Sequence, residues 1–511
     1  MKTLSSYVLG RWHAPEGDTR TVVDPSTEEP LGELGTAGID FGAVLDHART
    51  IGGPALRSLG FGGRGKLLAD LAGAIHGARE ELLDLSMACA GTTRSDAKFD
   101  LDGATGTLAA YGQFAAELEG RGAFLPDGEG VQLGRTARFW GQHILVPRRG
   151  VAVHINAFNF PAWNMAEKMA CSLLAGVPVI EKPGTATAML AWRVAEVIVD
   201  SGVLPEGAFQ FLCGSTGDLL DRMGPQDVLA FTGSSATGAL LRGNANLVRH
   251  NVHVNVEADS LNAAVLAPDV DTDAEIYGQF LANIETDIRQ KTGQKCTAVR
   301  RILVPEAMLD AVREDLVAGL GRIAIGDPRE DGVRMGPLAS ADALRSVREG
   351  IAKLAEESEI LTGGVDAIRE KGFFVAPTLL LAPGDAEVVH ELEVFGPVAT
   401  LIPYSGDVET AIELVNRGGG GLVASLYSND RAWTEAAVEG ISPWHGRVWI
   451  GSDRVAGQAL APGMVLPASQ HGGPGRAGGG SELGGLRGLE PYLQRTAVQG
   501  FQGLVAASFG A

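Results

Sequence analysis

VAVHINAFNFPAWNMAEKMACSLLAGVPVIEKPG, residues 151–184, decides the fold. A short β-branched run (VAVHI) ends in a polar turn, a helical stretch of about four turns follows, and a second short apolar run (PVIEK) ends again in a charged residue and a Pro-Gly break. That is the pattern of a parallel βαβ unit, with strands buried on both faces and a crossover helix between them. Toward the C-terminus the same alternation continues through TATAMLAWRVAEVIVDSG, AFQFLC, GDLLDRM, VLAFTG, SATGALLRG and NVHVNVEA. Five strand candidates with helices between them predict an α/β protein built on a doubly wound parallel sheet. Gly176 and Gly202 stand where the first two helices need left-handed C-caps.

A second α/β stretch covers 261–466, with a helix expected at 274–291, a strand at RRILVP and a helix at 307–322. GVQLGRTARFWGQHILVPRRG (130–150) breaks the alternation and reads as an excursion, such as an oligomerisation hairpin. HGGPGRAGGGSELGG (471–485) has the composition of a flexible linker. At roughly 150 residues per domain the 511 residues suggest two to four domains. The expected division is one domain from 1–124 and 146–260, a second from 261–470, and a small β element from 125–145 and 485–511.

The bulk chemistry excludes several classes of protein. With 45% hydrophobic and 20% charged residues the chain is too apolar to be disordered. A net charge of −20 without a basic stripe argues against nucleic acid and anionic membranes as partners. The N-terminus lacks a signal-peptide core, and no run of about 18 apolar residues follows, so a cytoplasmic location is expected. Cys89, Cys171, Cys213 and Cys296 have neither metal-ligand spacing nor the density of a disulfide framework. No metal is expected.

Candidate chemistry sits where strands end, since ligands bind at the C-terminal edge of a parallel sheet. Cys296, in TGQKCTAVRR, lies in a break between a helix and a strand, where a loop exposes a thiol; the alternative is a small core hydrophobe, the reading given to the other three cysteines. Glu257 ends NVHVNVEA, as a general base or as a solvated strand end. Asn159 ends another strand, where its amide suits an oxyanion or simply a turn before Pro161. Lys182 suits a ribose hydroxyl or a phosphate, or is a surface lysine. FTGSSATG (231–238) joins a strand to a helix and can aim backbone N–H groups at a pyrophosphate, although it is not the G-x-G-x-x-G fingerprint.

Together these segments resemble the aldehyde dehydrogenase superfamily in order and wording. The likeness extends through MGPLAS, GFFVAPTLL, LEVFGPVATLIPY, GLVASLYSND and SELGGLRGLEPYLQRTAV, nearly the whole chain. It implies a Rossmann-type cofactor domain, a catalytic domain, a β oligomerisation element and a homodimer or homotetramer. It implies Cys296 as nucleophile, Asn159 as oxyanion donor and Glu257 as the base that activates water. For the nucleotide it implies Ile155, Asn156, Lys182 and Thr185, then Thr232, Gly233 and Ser234 at the pyrophosphate turn, and Glu393 and Phe395 at the nicotinamide ribose. Many NAD-dependent members carry a Glu where this chain has Thr185; a hydroxyl tolerates a 2′-phosphate, so NADP is expected, with NAD possible. The segment from Glu257 to Cys296 is a few residues longer than in common members. NAFNFP, NVEADSLN and GQKCTAVRR are most similar to the branch that oxidises coenzyme A-linked semialdehydes in bacterial aromatic-acid breakdown. Arg148 and Arg149 are candidates for the coenzyme A phosphates, or plain surface charges before a strand.

Overall fold

In the computed structural model, which describes residues 1–510, the five expected strands form one parallel sheet in the spatial order His253–Glu257, Val228–Thr232, Ala152–Ile155, Val179–Lys182, Phe209–Phe211. Two short antiparallel strands, Ser6–Val8 and Arg11–His13, extend its edge. Sequence analysis did not anticipate them, because three-residue strands carry too little periodicity. The crossover helix Trp163–Ala175 is buried along its whole length, which explains its nearly unbroken apolar sequence. Asp100 caps it, accepting from the Trp163 N–H at 2.8 Å, and Gly103 lets the Trp163 ring lie against helix Arg94–Phe114. Gly176 and Gly202 are left-handed, at φ 92° and 63°, as the C-caps require.

The second stretch forms another seven-stranded sheet, in the order Glu359–Thr362, Thr378–Leu381, Val398–Tyr404, Arg301–Pro305, Ala263–Leu266, Gly421–Tyr427, His445–Gly451. All its pairings are parallel except at the Glu359–Thr362 edge. The helix expected at 274–291 ends at Arg289 and gives way to an irregular turn. The one expected at 307–322 is α-helical from Leu309 to Gly321, preceded by a 3-10 turn. The excursion is a hairpin, Leu125–Gln132 with Phe139–Pro147, completed by the C-terminal strand Leu493–Phe501. Exposed Val131, Leu133, Phe139, Phe501 and Leu504 give this small sheet an apolar surface.

The expectation of a flexible linker at 471–485 does not hold. Gln470–Gly472 pairs antiparallel with Ser481–Leu483, and the segment docks on strand His253–Glu257: Gly480 N–H donates to Val256 C=O at 3.0 Å, and Ala258 N–H to Ala477 C=O at 3.0 Å. The glycines are there because backbone passes backbone. A Cβ on Gly478 or Gly480 would stand 2.3 or 2.4 Å from the Val256 oxygen, and one on Gly446 only 1.7 Å from the Gly472 oxygen. Low-complexity composition here records close packing instead of freedom.

Gly446→Ala is therefore expected to force these backbones apart and cost about 1–3 kcal/mol, read as a lower urea midpoint. Limited proteolysis of the native protein should spare 471–485, where a linker would be cut.

Candidate active site

Cys296 sits on a loop whose backbone is held in an unusual shape. Lys291, Thr292 and Gly293 are consecutively left-handed, at φ 52°, 56° and 66°, a conformation that costs non-glycine residues roughly 1–2 kcal/mol each. Such strain persists only where surrounding contacts impose it, and here they are numerous. Thr292 Oγ1 donates to Gly336 C=O at 3.0 Å. Buried Lys295 donates to Asp287 at 2.7 Å and to Gln290 at 2.8 Å. Asn262 Nδ2 donates to the carbonyls of Cys296 and Ala298, both at 2.8 Å, pinning the backbone of Cys296 to the second sheet. Arg300 donates to Gly293 C=O at 2.9 Å and Gly396 C=O at 2.8 Å, joining this loop to the one that carries Glu393 and Phe395.

Three side chains from three distant segments meet at the loop. Cys296 Sγ lies 3.9 Å from His471 Nε2, and the same nitrogen lies 3.1 Å from Glu257 Oε2. The reactive atoms of all three fall within 4.8 Å of one another. Behind Glu257 stand Glu167, Lys168 and Glu482, with Lys168 Nζ 3.4 Å from Glu167 and 3.3 Å from Glu482. Asn164 donates to Glu167 at 2.7 Å, and its oxygen accepts the Ala157 N–H at 3.0 Å.

The electrostatics follow from placing these groups in the interior. Burial pushes Glu167 up to about 7, against the pull of Lys168. Burial works the same way on Glu257, but the charges of His471 and Lys168 more than offset it and hold the carboxyl down to about 2. His471 moves the other way: burial disfavours its charge, yet Glu257 and Cys296 raise it well above its usual value. Cys296 keeps some solvent contact, unlike the other three cysteines, but the surrounding protein and Glu257 push its thiol up to about 11. Cys89, Cys171 and Cys213 are buried and pushed up to about 12, as core residues.

Most of the remaining candidates lie along the C-terminal edge of the first sheet, and Glu393 and Phe395 lie on the loop before strand Val398–Tyr404 of the second. Thr232 pairs in register with Glu257, and Gly233 N–H donates to Glu257 C=O at 3.1 Å, where a side chain would meet the Phe231 ring. Ser234 caps the next helix. Ile155 is in register with Lys182, whose ammonium is lowered by burial, and Thr185 opens the half-buried turn that follows. Asn156 donates to Glu181 at 2.8 Å. Glu393 accepts the Ser260 N–H at 3.0 Å and is pushed by burial, against Arg300, up to about 7. Phe395 packs edge-on against Phe158, 6.0 Å between centroids. The oxygens Asn156 Oδ1, Thr232 Oγ1 and Glu393 Oε1 are buried without a hydrogen-bond partner, as is Asn159 Oδ1. Asn159 shares a small cavity with Lys291, Thr292 and Gln294, beside the start of the cysteine loop. Unsatisfied buried oxygens at a sheet edge call for a ligand, and hydroxyls, amides and an ammonium along one edge fit a dinucleotide. Arg148 Nε donates to Pro491 C=O at 3.1 Å, which favours its structural reading, while Arg149 is exposed.

Sequence analysis missed His471, Glu167, Lys168, Glu482, Asn262 and Arg300. Adjacent opposite charges in the apolar run MAEKMACSLL were a signal for Glu167 and Lys168, since a wholly apolar helix has no solvated face for them. Nothing local marked His471.

The aldehyde dehydrogenase family model matches residues 12–498. The chain is 43% identical over 479 residues to a 3,4-dehydroadipyl-CoA semialdehyde dehydrogenase of Aromatoleum evansii, covering 92% of this chain and 93% of that protein. It is 29% identical to a chloroplastic aminoaldehyde dehydrogenase of Arabidopsis thaliana, over 96% of this chain and 95% of the relative. A crystal structure of PnpE in complex with nicotinamide adenine dinucleotide superposes with a TM-score of 0.84 at 26% identity, over 98% of this chain and 97% of that one.

Raised Glu393 gives a pH prediction. The folded protein holds this proton more tightly than the unfolded chain, so the associated stability is complete below about 4.3 and is lost as pH climbs through about 7, on the order of a few kcal/mol. Between pH 5 and 7.5, Glu393→Gln should gain stability relative to wild type, measured by urea unfolding at each pH; a constant difference would refute the assignment.

Proposed function

Because the chain belongs to the aldehyde dehydrogenase family, we propose that it oxidises a coenzyme A-linked semialdehyde, of the 3,4-dehydroadipyl-CoA semialdehyde type, to the carboxylic acid through a thioester on Cys296. The observation that carries this reading is the convergence of Cys296 and Glu257, 39 residues apart in sequence, around one histidine nitrogen. The Cys296 thiolate attacks the carbonyl carbon, and the Cys296 N–H and the Asn159 amide steady the oxyanion of the thiohemiacetal. A bound nicotinamide nucleotide supplies the hydride acceptor. Glu257 then takes a proton from water as its oxygen bonds to the thioester carbonyl, the C–S bond breaks, and the acid leaves. A base buried beside the nucleophile favours water over a second thiol as acyl acceptor, so the enzyme is acid-forming and not acylating.

On this reading the first sheet is the cofactor domain, with 1–124 and 146–260. The second, 261–470, is catalytic, and 125–145 with 485–511 forms the oligomerisation element of a homodimer or homotetramer. Thr232, Gly233 and Ser234 take the pyrophosphate, Ile155, Asn156, Lys182 and Thr185 the adenosine side, and Glu393 with Phe395 the nicotinamide ribose. Thr185 puts a hydroxyl rather than a carboxylate where a 2′-phosphate falls, which supports NADP over NAD. A cavity of about 560 Å³ floored by Phe99, Trp163, Met464 and Val465 reaches Gln290, a partner of Lys295 beside the nucleophile, and is roomy enough for a long thioester. Among the described residues no helix is long and apolar enough to cross a membrane. The family branch and its substrate class support a cytoplasmic role in benzoate and related aromatic catabolism.

Activity measured with free and coenzyme A-linked aldehydes, each with NAD and NADP, is expected to favour the thioester and NADP; preference for free aldehyde would overturn the substrate. Cys296→Ala should abolish nucleotide reduction, and Glu257→Gln should allow at most one slow acylation per site. Normal turnover by the cysteine variant would end the mechanism.

A further inference from the structure

One feature of the site has no part in the chemistry above. His471 is 3% exposed, its Nδ1 has no partner, and its Nε2 faces both the nucleophile and the base. A nitrogen carries one proton, so it can donate to one of these two groups at a time. The reaction needs each of them negative at a different moment: Cys296 during attack on the aldehyde, Glu257 during attack by water. Two anions within 4.8 Å in a low-dielectric pocket repel strongly.

We propose that protonated His471 is a shared counter-ion, a catalytic residue that forms an ion pair with the Glu257 carboxylate at rest and turns its single Nε2–H to the Cys296 sulfur when the nucleophile ionises. The inference rests on Cys296 being the nucleophile. In the ionising step the S–H bond breaks with its electron pair left on sulfur, and the proton bonds to a Glu257 oxygen. His471 keeps its own proton throughout, so the triad holds the same total charge before and after, and at no stage do two uncompensated anions face each other. When Glu257 returns its proton to solvent and becomes the base for water, the N–H swings back. Nε2 stands 3.1 Å from the Glu257 carboxylate, as an ion pair, and 3.9 Å from the Cys296 sulfur, so both groups are within its reach.

The other charges around the triad do not substitute for His471. Lys168 is held between Glu167 and Glu482. Arg447, on strand His445–Gly451, is half-buried and donates to Pro462 C=O at 2.9 Å. Lys295 is paired with Asp287. Among the described residues, the imidazole is the cationic group in contact with both reacting groups.

Alkylation of Cys296, followed by mass spectrometry of the full-length protein, tests this without aldehyde or nucleotide. Neutral iodoacetamide and anionic iodoacetate are compared in 0.5 M salt, which screens the protein's net charge of −20. A cation beside the thiolate favours the anionic reagent. His471→Gln should lower the iodoacetamide rate at pH 7.5 at least tenfold, shift the pH profile upward by a unit or more, and lower the iodoacetate-to-iodoacetamide ratio at least threefold. If His471→Gln does not fold, wild type decides: its ratio should exceed that of N-acetylcysteine amide. Equal ratios in wild type and a folded variant, or a wild-type ratio no higher than that of the small thiol, would overturn the proposal. Failure of the coenzyme A substrate leaves these rates untouched, whereas turnover by Cys296→Ala would defeat the functional reading whatever the alkylation shows.

Discussion

Charge compensation in the dry space between the two sheets is the constraint on which the site depends. Glu257, Glu167 and Glu482 are removed from water together, and an isolated carboxylate there would give up its charge. Lys168 and His471 prevent that for Glu257, at the cost of tying five side chains into one mutually dependent group. No member can be judged by its own residue type. His471 and Lys168 hold Glu257 low, whereas burial, with Glu482 and Glu257 nearby, raises Glu167 despite its contact with Lys168.

The same mutual dependence governs the backbone. Three consecutive left-handed residues precede Cys296 by a few positions, and they persist because Thr292, Lys295, Asn262 and Arg300 each anchor the loop to a different neighbour. Arg300 also reaches Gly396 C=O, so the position of the cysteine and the position of Glu393 and Phe395 are set by one guanidinium.

The glycine-rich segment shows how composition misleads when read alone. Its glycines permit contacts of backbone on backbone against Val256, and those contacts carry His471 to the cysteine and Glu482 to Lys168. A chain that contributes two ionisable groups to a buried centre has to be firmly placed, and close packing of small residues is one way to do that.

The strands and crossover helices were legible because burial on both faces of a parallel sheet imposes long apolar runs, and the left-handed C-caps at Gly176 and Gly202 because only glycine takes that backbone cheaply. Cys296, Glu257, Asn159 and Lys182 were legible as strand-end or loop residues whose chemistry is out of keeping with their apolar surroundings. What depended on tertiary structure was which charges share a space. His471 lies 175 residues beyond Cys296 and in a stretch that resembles a linker; its role comes from a 3.9 Å approach that no local pattern encodes. Protonation states belong to the same class, since they follow from burial and neighbours, and neighbours across such distances exist only once the chain has folded.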